Sequence, residues 1–238
     1  MKPIFNAALI LAGGVGSRMN MGSFPKQYLM VKNRPVLDHC LCTFQNTASV
    51  DKIVIVADVS WREFIDGWLK KSNITKFVTY ADPGQTRQMS IFNGLLAIEQ
   101  EIPECAKVII HDSARPLISE GLIENCFGEL QNADGVMPVL PVKDTCYQSM
   151  DGKTIDGFIP RSQLFAGQAP EAFRLQPYLE LHRTLPEETL LQISGSSELA
   201  YKYGLKVSMI PGEERNFKIT TQDDLKLLEK YLQGEDKQ

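Results

Sequence analysis

The chain has 238 residues, 43% hydrophobic and 23% charged, with 25 Lys and Arg against 29 Asp and Glu for a net charge of −4. That size and balance suit one α/β core spanning residues 1–238 and provide no basic field to collect nucleic acid, so a bound anion must be held by local cations. Five unevenly spaced cysteines without a Cys-x-x-Cys pair argue against a disulfide framework or a zinc site and suit reduced thiols in the cytoplasm, and no run approaches the roughly 18 apolar residues of a membrane span.

In chain order, "AALILA" (residues 7–12) reads as a buried strand that runs straight into Gly13-Gly14 and is too short for a signal-peptide core. Short apolar runs then alternate with helix-period segments: "VLDHCLCTF"; "KIVIVA" and "WREFIDGWLKK"; "KFVTY" and "MSIFNGLLAIEQ"; "KVIIHD" and "LIENCFGEL". This alternation predicts βα units in a Rossmann-like, mostly parallel sheet with helices on both faces. "GVMPVLPV" reads as a further strand, and Asp151-Gly152 between two short mixed runs reads as a hairpin, so residues of about 143–162 are expected to project as a β-arm. The strand "KVSMIP" and a last helix, capped by Thr221 with Asp224, complete the order. His39, His182, Trp61 and Trp68 fall at helical spacing and read as packing residues; His111 alternates to the strand face away from Asp112.

The stretch "LILAGGVGSRMNMGSFPKQY" (residues 9–28) carries the first chemical signal. Gly13, Gly14 and Gly16 lie where a parallel strand ends, the place where such sheets bind ligands and where backbone N–H groups can approach an anion. A dinucleotide fingerprint needs glycine where Met19 stands and an acid closer than Asp58, and the Gly-Lys-Ser/Thr of a Walker loop is absent. A plain glycine turn leaves Arg18 and Lys26 unexplained, whereas a nucleoside triphosphate would use both. Asp112 ends the run "KVII" and is either a turn or capping carboxylate or a ligand for a hard cation, which needs one or two carboxylates when substrate phosphates supply the other oxygens.

"LAGGVGSRM" and "PKQY", followed in order by "GQTRQMSIFNGL", "IIHDSARP", "PVKDT", "RSQLFAGQAPEAF" and "NFKITTQDDL", resemble the polyol-phosphate cytidylyltransferases, which act on 2-C-methyl-D-erythritol 4-phosphate or ribitol 5-phosphate. The resemblance spans nearly the whole chain and implies the nucleotide-diphospho-sugar transferase type of α/β fold. It implies CTP bound by Leu11, Ala12, Gly13, Gly14 and Gly16, with its phosphates on Arg18 and Lys26, its base beside Gly84, Arg87 and Ser90, and Mg²⁺ on Asp112. Lys218 would reach the α-phosphate or the acceptor; Arg115, Thr145, Arg161 and Ser194 would surround a polyol phosphate, with Arg161 reaching a neighbouring subunit of a homodimer joined through the arm. An acceptor phosphate, with its second pKa near about 6, is already mostly dianionic at neutral pH, so the site needs cations more than a general base and three histidines are no objection. The pattern breaks at Ala169, where the family has a threonine, and at Gly195, where it has an aspartate, which points to altered handling of the acceptor. Two other readings use the same loop: an NAD-dependent oxidoreductase, and a CTP-binding regulator without turnover.

Overall fold

The computed structural model describes residues 4–14 and 24–235. Three strands, β1 (Phe5–Leu11), β4 (Lys52–Val56) and β6 (Cys105–Asp112), form the centre of the sheet. They are buried on both faces, which is why their sequences are almost continuously apolar instead of alternating. A two-stranded ribbon of β2 (Met30–Val31) and β3 (Arg34–Pro35) lies between β1 and β4 in sequence, and its loop residues Lys32 and Asn33 both have positive φ, the backbone of a two-residue hairpin. Beyond β4, β5 (Phe77–Ala81) closes one edge, in parallel like its neighbours.

On the other side the order is less regular. β7 (Gly135–Pro141) is followed by the hairpin β8 (Cys146–Gln148) and β9 (Gly157–Ile159), then by β10 (Phe165–Gly167) and β11 (Glu171–Arg174). β11 runs antiparallel between β6 and β7, β10 continues along the end of β7, and β12 (Val207–Pro211) pairs in parallel with the opposite edge of β7. The mostly parallel sheet of the expectation is therefore present, with eight strands and an antiparallel insertion that the alternation of apolar runs did not announce. The arm is present as well: Asp151 Oδ1 accepts from the backbone N–H of Lys153 and Thr154 at 2.8 Å each, and Gly152 takes φ +69° to make the turn.

Period-two alternation in the central strands separates two cores. Ala8, Ile10, Ile53, Ile55 and Ile109 face α1 (Val36–Asn46), α2 (Val59–Lys71) and α4 (Glu120–Glu129), while Leu9, Val54, Val108 and Ile110 face α3 (Arg87–Glu101) and α5 (Leu175–Thr184). Gly94 sets how close α3 comes to β1, since a Cβ there would sit 2.4 Å from Leu9 Cδ1. Two short helices, α6 (Glu187–Gln192) and α7 (Ser196–Lys202), lead to β12, and α8 (Gln222–Glu235) closes the chain, with Thr221 Oγ1 accepting from Asp224 N–H as the capping pattern predicts. Among the described residues no helix is long and apolar enough to cross a membrane.

His111 and His182 are buried. One ring nitrogen of His182 lies 2.8 Å from the Tyr178 carbonyl and the other 2.6 Å from Gln88 Nε2, an arrangement satisfied by the neutral ring donating from Nδ1 and accepting at Nε2. Burial pushes both imidazoles down to about 4. The unfolded chain takes up these protons near pH ~6.5, so stability present at neutral pH is lost as the pH falls from there towards 4. Thermal melts at decreasing pH should show Tm falling through this window, and His182→Gln should flatten the fall; a Tm that is level from pH 7 to pH 5 contradicts the assignment.

Candidate active site

The carboxyl ends of β1 and β6, the loop before α3 and the segment before α8 enclose a cleft of about 450 Å³. Its lining includes Leu11, Gly13, Gly14, Lys26, Gly84, Arg87, Ser90, Asp112 and Lys218, residues named from the sequence and gathered here from five separate segments. Gly16 and Arg18 lie outside the described residues.

The glycine loop leaves β1 under tight control. Ala12 N–H donates to the Val56 carbonyl, and the Ala12 carbonyl accepts from Gln27 Nε2 at 2.6 Å and the Tyr28 hydroxyl at 2.9 Å. Gln27 Nε2 also reaches the Gly14 carbonyl at 2.9 Å, so the 3₁₀ turn Lys26–Tyr28 clasps the start of the loop and carries Lys26 to the cleft. Gly13 is required by contact: a Cβ would lie 2.5 Å from Pro83 Cβ, and its absence lets the glycine loop pack against the loop that precedes α3. That second loop is closed by Ser90, whose hydroxyl accepts from Gly84 N–H at 3.0 Å and donates to the Thr86 carbonyl at 2.9 Å. Gly84 and Ser90 thus shape the cleft wall together.

Asp112 sits at the centre of the charge. Its Oδ1 accepts from Arg87 Nε at 3.2 Å and its Oδ2 from Lys218 Nζ at 2.8 Å. Burial alone would raise the Asp112 carboxyl, but Arg87 and Lys218 outweigh it and hold the group well below the usual carboxylate range, so it is ionised throughout the physiological range. Arg87 is directed to this network: Nη1 donates to Ser196 Oγ at 2.7 Å and Nη2 to Glu171 Oε1 at 3.3 Å. Its own burial opposes the charged form, and Asp112 and Glu171 more than restore it. Lys218 is located by its neighbour, since Ile219 N–H donates to the Ala114 carbonyl at 2.8 Å, two residues beyond Asp112.

The remaining predicted residues stand apart from the cleft lining. Arg115 Nη1 donates to the Asn216 carbonyl at 2.7 Å, and its buried Nε has no partner among the described residues. Thr145 and Arg161 are exposed on the arm, where Arg161 Nη1 donates to the Lys143 carbonyl at 3.1 Å. Ser194 is exposed and its hydroxyl donates to Glu198 Oε2 at 2.8 Å; the serines that face the charged network are Ser196 and Ser197, because α7 begins there. Sequence reasoning missed Glu171, Ser196, Ser197 and Gln27. A carboxylate inside the apolar run "PEAF" was the one visible signal, for a charge enters such a strand only when paired.

Fold and cleft together define an α/β protein whose cleft gathers a glycine loop, basic side chains and a strand-end carboxylate. The model of the family described as IspD, 2-C-methyl-D-erythritol 4-phosphate cytidylyltransferase, matches residues 6–234. Ribitol-5-phosphate cytidylyltransferase of Streptococcus agalactiae serotype Ia is 34% identical over 92% of this chain and 92% of its own. 2-C-methyl-D-erythritol 4-phosphate cytidylyltransferase of Rubrobacter xylanophilus is 36% identical over 94% of each chain. The crystal structure of 4-diphosphocytidyl-2C-methyl-D-erythritol synthase from Anaerococcus prevotii superposes with a TM-score of 0.82 at 29% identity, covering 97% of this chain and 96% of that one. The chain belongs to the IspD family and is by class a cytidylyltransferase.

Proposed function

We propose that the cleft transfers CMP from CTP to a sugar-alcohol phosphate, ribitol 5-phosphate or 2-C-methyl-D-erythritol 4-phosphate, releasing pyrophosphate. The observation that carries this reading is the convergence of the glycine loop, Lys26 and the Asp112–Lys218 pair on one cleft. An oxygen of the acceptor phosphate attacks the α-phosphorus of CTP, a new P–O bond forms, and the bond from the α-phosphorus to the β-phosphate bridging oxygen breaks, the electron pair leaving with pyrophosphate. The acceptor oxygen is already ionised, so no side chain has to remove a proton. What the protein must supply is positive charge around a crowded anionic transition state, and Lys26, Lys218 and Arg18 are the side chains assigned to it, with Arg115 assigned to the acceptor.

Asp112 is the assigned ligand for Mg²⁺. Its hard oxygen donors and the lack of any cluster of three His, Cys, Asp or Glu among the described residues fit an ion that takes one or two carboxylates and completes its shell from phosphates and water. When bound, the ion supplies charge neutralisation on the phosphates. Lys218 now occupies Asp112 Oδ2, so a phosphate must draw the ammonium away for that oxygen to serve a metal. Gly84 and Ser90 are assigned to the cytosine side of the cleft.

The arm is assigned to a homodimer. Tyr147, Met150, Ile155 and Phe158 are 59%, 94%, 68% and 63% exposed, an apolar surface on a two-stranded hairpin that has no core of its own. A second copy would cover it and would bring Arg161 and Thr145 to the neighbouring cleft as acceptor ligands.

Incubation with CTP, Mg²⁺ and each polyol phosphate should release pyrophosphate with at least one acceptor, and Lys26→Ala should lower kcat/KM by about 10²-fold or more without altering the fold. Release with none of them, alongside normal CTP binding, would favour the regulator. Light scattering at assay concentration should give the mass of a dimer, and a monomer mass removes the arm from the site.

A further inference from the structure

Glu171 has no place in the chemistry just described, yet it is a buried carboxylate whose side-chain hydrogen bonds go to Arg87 and Ser197. Burying a carboxylate is costly unless it is paired and hydrogen-bonded, and an apolar residue would fill a strand position between β6 and β7 without that cost. Its two oxygens have separate tasks. Oε1 accepts from Arg87 Nη2 at 3.3 Å, and Oε2 accepts from Ser197 N–H at 2.8 Å and from the Ser197 hydroxyl at 2.7 Å.

The guanidinium of Arg87 is consequently held on three sides. Nη2 lies on Glu171 of β11, Nη1 on Ser196 of α7, and Nε on Asp112 of β6. A planar fork fixed along its far edge cannot pivot, so it fixes Asp112 Oδ1 and determines which oxygen faces the cleft. That oxygen is Oδ2, the one on Lys218.

We infer that Glu171 is a positioning residue for the metal-binding carboxylate: acting through Arg87, it locks Asp112 so that a single oxygen is offered to a divalent cation. This rests on the CTP and Mg²⁺ reading above. The arrangement suits Mg²⁺, which accepts one carboxylate oxygen within a strict octahedron, over Ca²⁺, which readily takes both oxygens of a carboxylate. Glutamine cannot replace Glu171 without loss, because its amide presents one acceptor and one donor to two donors, Arg87 Nη2 and Ser197 N–H.

The test is calorimetric titration of the full chain with CTP, without metal and with saturating Mg²⁺, no acceptor being present. The wild type should bind CTP more tightly with Mg²⁺. In Glu171→Gln that gain should shrink by about tenfold or more, the usual effect of removing a partner that orients a metal ligand, while metal-free affinity is not weakened. Ser197→Ala, which keeps the charge of Glu171 and removes one of its hydrogen bonds, should lose a smaller part of the gain and provides the same readout if Glu171→Gln does not fold. A wild type that responds to Mg²⁺ with folded variants that respond equally overturns the positioning role alone; a wild type indifferent to Mg²⁺ overturns the metal reading as well.

Discussion

The carboxylate of Asp112, held between Arg87 and Lys218, is the interaction on which the site depends. A carboxylate at the end of a buried strand would shed its charge if burial alone acted on it. Two cations keep it ionised, and a second carboxylate, Glu171, balances the arginine, so that the buried part of the network is close to neutral. Lys26 lines the same cleft. Cationic side chains and a strand-end carboxylate thus line one cleft, the combination that phosphoryl-group chemistry needs.

Sheet topology explains how the network is assembled. β6 presents Asp112 at its carboxyl end; antiparallel β11, next to it, presents Glu171 opposite Ile110, so that two carboxylates come to one end of adjacent strands. α3 begins at Arg87 on that same end, and the close approach of α3 to β1 at Gly94 determines where its first residue falls. Lys218 arrives from the far end of the chain, placed by the hydrogen bond from Ile219 to Ala114. The contacts that define the site thus join residues 25, 84 and 106 positions apart.

Those separations determine what was legible in the sequence. β1, β4 and β6 could be read directly, because strands buried on both faces leave continuous apolar runs, and so could the arm, because Asp151-Gly152 has turn chemistry. β10 and β11 could not, since Gly167 and Pro170 interrupt "LFAGQAPEAF" and each strand is too short to show a period. Glycine-loop residues announced themselves by composition, and Asp112 by its place at a strand end. Arg87 did not: a first-turn arginine carries no mark of where its guanidinium points, and the resemblance assigned it to the base, whereas its hydrogen bonds go to Asp112, Glu171 and Ser196. The resemblance pointed to Ser194, and the serines that the start of α7 turns inward are Ser196 and Ser197, two and three residues later. Ala169, where the resemblance has a threonine, gives its carbonyl to Asn216 Nδ2, and its methyl group adds no hydrogen-bonding side chain.

The account turns on Asp112 Oδ2 changing partner from Lys218 to a metal when nucleotide is bound. A crystal structure with CTP and Mn²⁺ in place of Mg²⁺, with the ion located by its anomalous scattering, tests this most directly. The account predicts the ion bonded to Asp112 Oδ2, with Lys218 moved to a phosphate oxygen and Arg87 still on Oδ1. An ion bound elsewhere, with the Lys218–Asp112 pair intact beneath the nucleotide, would contradict it.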